Sequence, residues 1–152
     1  MTTFRTALTN LSNLSVTGVP HNYDVDEAPA TVTRSQLPAL LVLPANVQDV
    51  RMFKERGEGF QAVAFANGAR TITYTATHLL LVAPVTGGSS NKQHLPTLVD
   101  LIDNYFTALK TDLTLSGALL EPAEVSVEPG IYAHGDAKYY GCALRHTWKL
   151  EI

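Results

Sequence analysis

The sequence predicts an α+β domain, with a mostly antiparallel sheet of about five strands flanked by two main helices. Three observations predict it. Residues 60–82, FQAVAFANGARTITYTATHLLLV, alternate apolar and polar around Asn67-Gly68, the dipeptide best suited to a tight hairpin turn. Residues 96–113 carry Leu98, Leu101, Ile102, Tyr105, Phe106 and Leu109 at three- and four-residue steps, a wide helical stripe. The last third again alternates with period two, around a second turn at His134-Gly135-Asp136-Ala137.

Length and composition bound the reading. The chain has 152 residues, enough for a single domain, 1–152, with a core of its own. Charged residues are only 16% against 45% hydrophobic, which fits a surface partly covered by other protein. A net charge of −3 draws the chain neither to nucleic acid nor to an anionic membrane. One cysteine excludes an intrachain disulfide and a cysteine-rich zinc site. No apolar run approaches the roughly 20 residues of a membrane span. MTTFRTALTN has no apolar signal-peptide core, so a soluble intracellular protein is the expectation.

Taken in order, residues 2–19 place Phe4, Ala7, Leu8, Leu11 and Leu14 on one stripe, a short packing helix stopped by Gly18 and Pro20. Residues 19–38 are polar, proline-punctuated and acidic at Asp24, Asp26 and Glu27, which reads as a long arm with a solvated acidic loop. A calcium loop needs more ligands, a turn glycine and a closing Glu. LPALLVLP, 37–44, has the length of a strand buried on both faces, with its prolines at the ends. Residues 46–59 carry mixed charge and end in Gly-Glu-Gly, a loop.

In the second arm of the first hairpin, Thr71, Thr73, Thr75 and Thr77 alternate with Ile72, Tyr74 and Ala76, and Leu79-Leu80-Leu81-Val82 then runs apolar on both faces. A helix or a neighbouring subunit is therefore expected on the second face. VTGGSSNKQHL, 85–95, is a flexible loop that satisfies neither a phosphate-binding nor a nucleophile-elbow pattern. Pro96 suits the first turn of the long helix, with Asp100 and Asp103 towards its N-terminus and Lys110 near its C-terminus. Val125, Val127, Ile131 and Ala133 point one way, with a bulge or bend at Pro129-Gly130. The closing strand sets Tyr140, Cys142, Leu144, His146, Trp148, Leu150 and Ile152 on one face, and its position at the chain end ties that end into the sheet.

Chemistry is sparse. The five histidines, His21, His78, His94, His134 and His146, form no metal-binding motif, and no metal or cofactor is expected. His78 and His146 look inward from two strands, where a hydrogen-bonded core pair outweighs a ligand pair. Cys142, two positions from His146, reads as a small buried hydrophobe rather than a nucleophile. No catalytic residue is assigned, and an enzyme is not expected.

The carrying pieces of a wider resemblance are QLPALLVLP, TITYTATHLLLV, LPTLVDLIDNYFTAL followed by LSGAL, and YYGCALRHTWKLEI. In layout and local character they resemble the tail terminator (tail completion) proteins of long-tailed bacteriophages, the lambda-type family, over most of the chain from Leu37 onward. The resemblance implies a homo-oligomeric ring, usually hexameric, that caps the tail tube, ends its polymerisation and presents a face to the head–tail connector. It also implies a place in the virion tail or neck, assembly in the host cytoplasm, and DNA passing through the lumen without specific binding or any membrane. Candidate subunit contacts are Arg51, Lys54, Glu55 and Arg56, and candidate tube or connector contacts are Gly87, Gly88, Ser89, Ser90, Asn91 and Lys92. Two polar loops, 21–36 and 86–94, are expected to order on meeting a partner. The alternatives are a head–tail connector or neck subunit and, in another class, a small ligand-binding or hydrolytic domain using His78, His146 and Cys142.

Overall fold

The computed structural model describes residues 4–44, 59–65, 70–86 and 91–151. It is an α+β fold built on one six-stranded sheet. Helix α1 (Phe4–Ser12) leads into strands β1 (His21–Tyr23) and β2 (Ala39–Leu43). Strands β3 (Gly59–Phe65) and β4 (Arg70–Pro84) precede helix α2 (Asn91–Leu109), and β5 (Glu124–His134) and β6 (Ala137–Glu151) close the chain. The sheet order is β1-β2-β4-β6-β5, with β3 pairing β4 off this path. All pairings are antiparallel except β1 with β2, so the sheet is mixed.

The long strands β4 and β6 form the centre of the sheet, in register from Thr71 opposite Glu151 to Pro84 opposite Tyr139, with one irregularity between Leu81 and Ala83. Period two sorts their side chains. Tyr74, Ala76, Leu80 and Val82 of β4 join Cys142, Leu144, Trp148 and Leu150 of β6 in the larger core cluster. Both helices cover this face, α1 through Ala7, Leu8 and Leu11 and α2 through Leu98, Leu101, Tyr105 and Leu109.

The opposite face supplies Leu79, Leu81 and Ala143 to a second, smaller core. Among the described residues, no helix packs on it. The arm between β1 and β2 does, through Val32, Ala28 and Leu37. Tyr139 fastens the arm, because its hydroxyl donates to the Val32 carbonyl at 2.7 Å and accepts from the Val32 N–H at 3.3 Å. The segment expected as a solvated loop is thus structured, with β1 at its start and a single 3-10 turn at Arg34–Gln36. Asp24 is buried rather than solvated. It accepts from Thr9 Oγ1 and from the Val25 N–H, each at 2.7 Å, and so ties the arm to α1. Asp26 stays exposed beside Arg5.

Other boundaries also differ from the sequence expectation. Helix α1 ends at Ser12, well short of Gly18. Helix α2 begins at Asn91, so Pro96 lies inside it and no acidic residue occupies its first turn. Asn91 and Lys92 are helical rather than part of a loop. In β3 the register shifts between Phe60 and Ala62, so Phe60 lies opposite Tyr74 and Val63 opposite Ile72, and strict alternation breaks at Gln61. By contrast β5 pairs with β6 without any shift, and the expected bulge at Pro129-Gly130 is absent. Burial in β5 instead changes face. Val125 and Val127 pack on the helix side, whereas Tyr132 is buried under the arm and Ile131 and Ala133 stay exposed. The turn at Gly135-Asp136 forms as expected. Gly135 has φ +61°, and a Cβ there would lie 2.3 Å from the Ala30 carbonyl oxygen of the arm.

Candidate functional site

The residues with chemistry do meet, in the interior. His78 on β4 and His146 on β6 lie on the helix-covered face, diagonally offset because His78 opposes Leu144 and His146 opposes Ala76. Their rings are 6.3 Å apart between centroids, too far for a direct hydrogen bond. Tyr105 of α2 fills the gap. Its hydroxyl lies 2.8 Å from His78 Nδ1 and 2.6 Å from His146 Nε2. All three side chains are fully buried.

The ends of this chain fix every proton in it. Trp148 Nε1–H is a donor only, and it points at His146 Nδ1, 3.2 Å away. His146 Nδ1 therefore accepts, and Nε2–H donates to the Tyr105 oxygen. Tyr105 then donates to His78 Nδ1, which leaves Nε2–H of His78 to donate to Asn22 Oδ1 at 2.8 Å. Asn22 is oriented by its amide, which donates to the Leu11 and Leu14 carbonyls at 3.2 and 3.0 Å. One unbroken relay thus runs Trp148, His146, Tyr105, His78, Asn22 and ends on the last turn of α1. Every member has its partners, as a buried polar network requires.

The electrostatics agree with neutral rings. Burial lowers His146 to about 3, and burial followed by the nearby His146 lowers His78 well below the usual imidazole value. Burial also holds the Tyr105 hydroxyl well above its usual value, so it stays protonated as the relay demands. Cys142 is fully buried, with Sγ 3.7 Å from the Ala143 carbonyl oxygen, and burial raises its thiol to about 11. It is a thiol at neutral pH and has no place in the relay, as its sequence position suggests.

The other histidines lie apart. His21 stacks on Tyr23, His94 on Tyr140, and His134 Nε2 donates to the Pro29 carbonyl at 2.7 Å. Among the described residues, no three His, Cys, Asp or Glu side chains are grouped to hold a metal ion. Among them, too, no helix is long and apolar enough to cross a membrane.

The interface candidates Arg51, Lys54, Glu55, Arg56, Gly87, Gly88, Ser89 and Ser90 lie outside the described residues, as does the Asn67-Gly68 turn. Asn91 and Lys92 open α2. What sequence reasoning missed is the exposed flank of α2. Leu95, Val99 and Phe106 are 46%, 55% and 36% exposed, and they follow one another at helical spacing beside the core stripe. The spacing was visible, since Phe106 already stood in the apolar stripe. Only the direction of the sheet shows that this side of the stripe is open. No family model matches the chain, and no curated protein matches it.

Proposed function

We propose that this chain is a structural subunit of a phage tail, a tail terminator that caps the tail tube as a ring, ends tube polymerisation and offers its other face for head attachment. The observation that carries the reading is where the exposed apolar surface lies. Of the six large apolar side chains left exposed among the described residues, Leu95, Val99, Phe106 and Ile131 belong to α2 and the edge strand β5, and Leu113 and Leu120 to the segment between them. Apolar side chains left exposed on adjoining elements fit a face that another protein covers. The element order supports the same reading. Packing helix, arm, apolar strand, long hairpin, amphipathic helix and closing hairpin all join one sheet, in the layout that the terminator resemblance implies.

The hydrolytic alternative has less to stand on. It needs His78, His146 and Cys142 to face a substrate, whereas both imidazoles have their nitrogens committed inside the core and the thiol is elsewhere in the packing.

The test is genetic and visual. Phage assembled without this chain should accumulate overlong tails. Tails of normal length beside unfilled or leaking heads would assign the chain to the connector instead.

A further inference from the structure

We infer that subunits join by sheet extension: the open edge of β5, with the apolar seam between it and α2, receives the β3 edge of a second copy in a head-to-tail contact. This rests on the ring reading above and names its contact. The seam has two walls. One is the α2 flank of Leu95, Val99, Ile102 and Phe106, spaced four, three and four residues apart on one side of the helix. The other is the helix-side face of β5, Val125, Val127, Pro129 and Ile131, which carries no charge. The walls meet around a cavity of about 90 Å³ lined by Leu95, Leu98, Pro129, Gly130 and Tyr140. Among the described residues no strand pairs with the outer edge of β5, so its outward backbone groups are open to another strand, apart from the Glu128 carbonyl, which accepts from the Tyr132 hydroxyl. Pro129 sits in mid-strand and supplies no backbone donor, which an edge strand tolerates.

The occupant follows from charge and from what else the chain leaves open. A two-fold contact of β5 with its own copy would bring Glu124 of both chains, together with Glu128 that Arg145 already holds at 2.7 Å, onto one stretch of edge, and opposed like charges destabilise strand pairing. β3 has no such conflict. Its seven residues, GFQAVAF, contain neither charge nor proline, the usual protection of an unpaired edge. Among the described residues its only strand partner is β4. β3 and β5 lie on opposite sides of the β4–β6 pair, so one copy can add to the next in the same sense. They are also staggered, since β3 pairs with the Arg70–Thr75 half of β4 and β5 with the Ala137–Thr147 part of β6. A closed ring of tilted strands needs such an offset. Unlike ends joined head to tail close into a ring when the rotation fits.

The test is amide hydrogen exchange on the full chain, comparing its assembled form with the double variant Val99→Glu, Ile131→Lys. Both positions are largely exposed, so the variant should keep its thermal midpoint while dissociating to monomers. In the assembled wild type, residues 59–65 and 124–134 should both exchange about tenfold or more slowly than in the dissociated variant. A wild-type chain that stays monomeric at high concentration would overturn the inference. So would rings in which either strand exchanges at the monomer rate, an outcome that leaves the capping role itself standing.

Discussion

At the residue scale, Tyr105 joins three elements through one oxygen. Its hydroxyl links α2 to His78 of β4 and His146 of β6, and through Asn22 the link reaches α1. Replacing it with Phe keeps the ring but strands a buried acceptor on His78 and a buried donor on His146. Each unsatisfied buried group costs about 1–3 kcal/mol, so Tyr105→Phe should lower stability by about 2–6 kcal/mol in urea denaturation. A loss below about 0.5 kcal/mol would mean that the relay is not satisfied as described.

The same relay makes stability depend on pH. Both imidazoles have folded values below the ordinary value of about 6.5, so the folded state resists the protons that the unfolded state takes up. Their contribution is therefore complete above pH ~6.5 and declines as pH falls towards about 3, the value for His146. Between pH 7 and pH 5 His146 alone should remove about 2 kcal/mol, and His78 acts in the same direction. The size of the drop can be read from denaturation midpoints across that range. In His146→Gln the slope should fall.

The inward pointing of His78 and His146 was legible, because both sit in alternating strands. Their connection through Tyr105 was not. The rotation of α2 over the sheet is set by tertiary packing, and 27 and 41 residues of sequence separate the partners.

At the element scale, the long strands were the most legible parts, since period two and the all-apolar run of residues 79–82 map directly onto burial. The limits of α2 were less so. Pro96 resembles an N-terminal proline, yet the helix starts five residues earlier. An interior proline removes one backbone hydrogen bond and strains the preceding turn. Pro96→Ala should therefore stabilise the protein by about 1–3 kcal/mol, which thermal unfolding would register as a raised midpoint.

Composition describes residues 19–38 as solvated, while the few apolar residues of the arm, Val32 among them, decide where it lies. The centre of the sheet has its own constraint. A Cβ at Gly141 would sit 2.0 Å from the Leu80 carbonyl oxygen of the neighbouring strand. Gly141→Ala should cost about 3 kcal/mol or more, at the severe end for single substitutions. A near-neutral result would show that β4 and β6 can separate locally without loss of the core.

At the scale of the whole molecule, one sheet is used three ways. Its helix face forms the main core, the arm closes part of the other face, and the β5 side carries apolar surface left exposed among the described residues. The first two uses account for a stable subunit. The third fits a subunit made to stand beside others. That last property was only faintly legible, as a low charge fraction, because exposure depends on how strands and helices are finally arranged.

We propose that this chain acts by assembly at the end of a tail tube, and the length distribution of tails formed without it, imaged by electron microscopy, tests that role most directly. Tails should extend well past the normal length and return to one length when the protein is added back during assembly. Tails of unchanged, uniform length in its absence would contradict it.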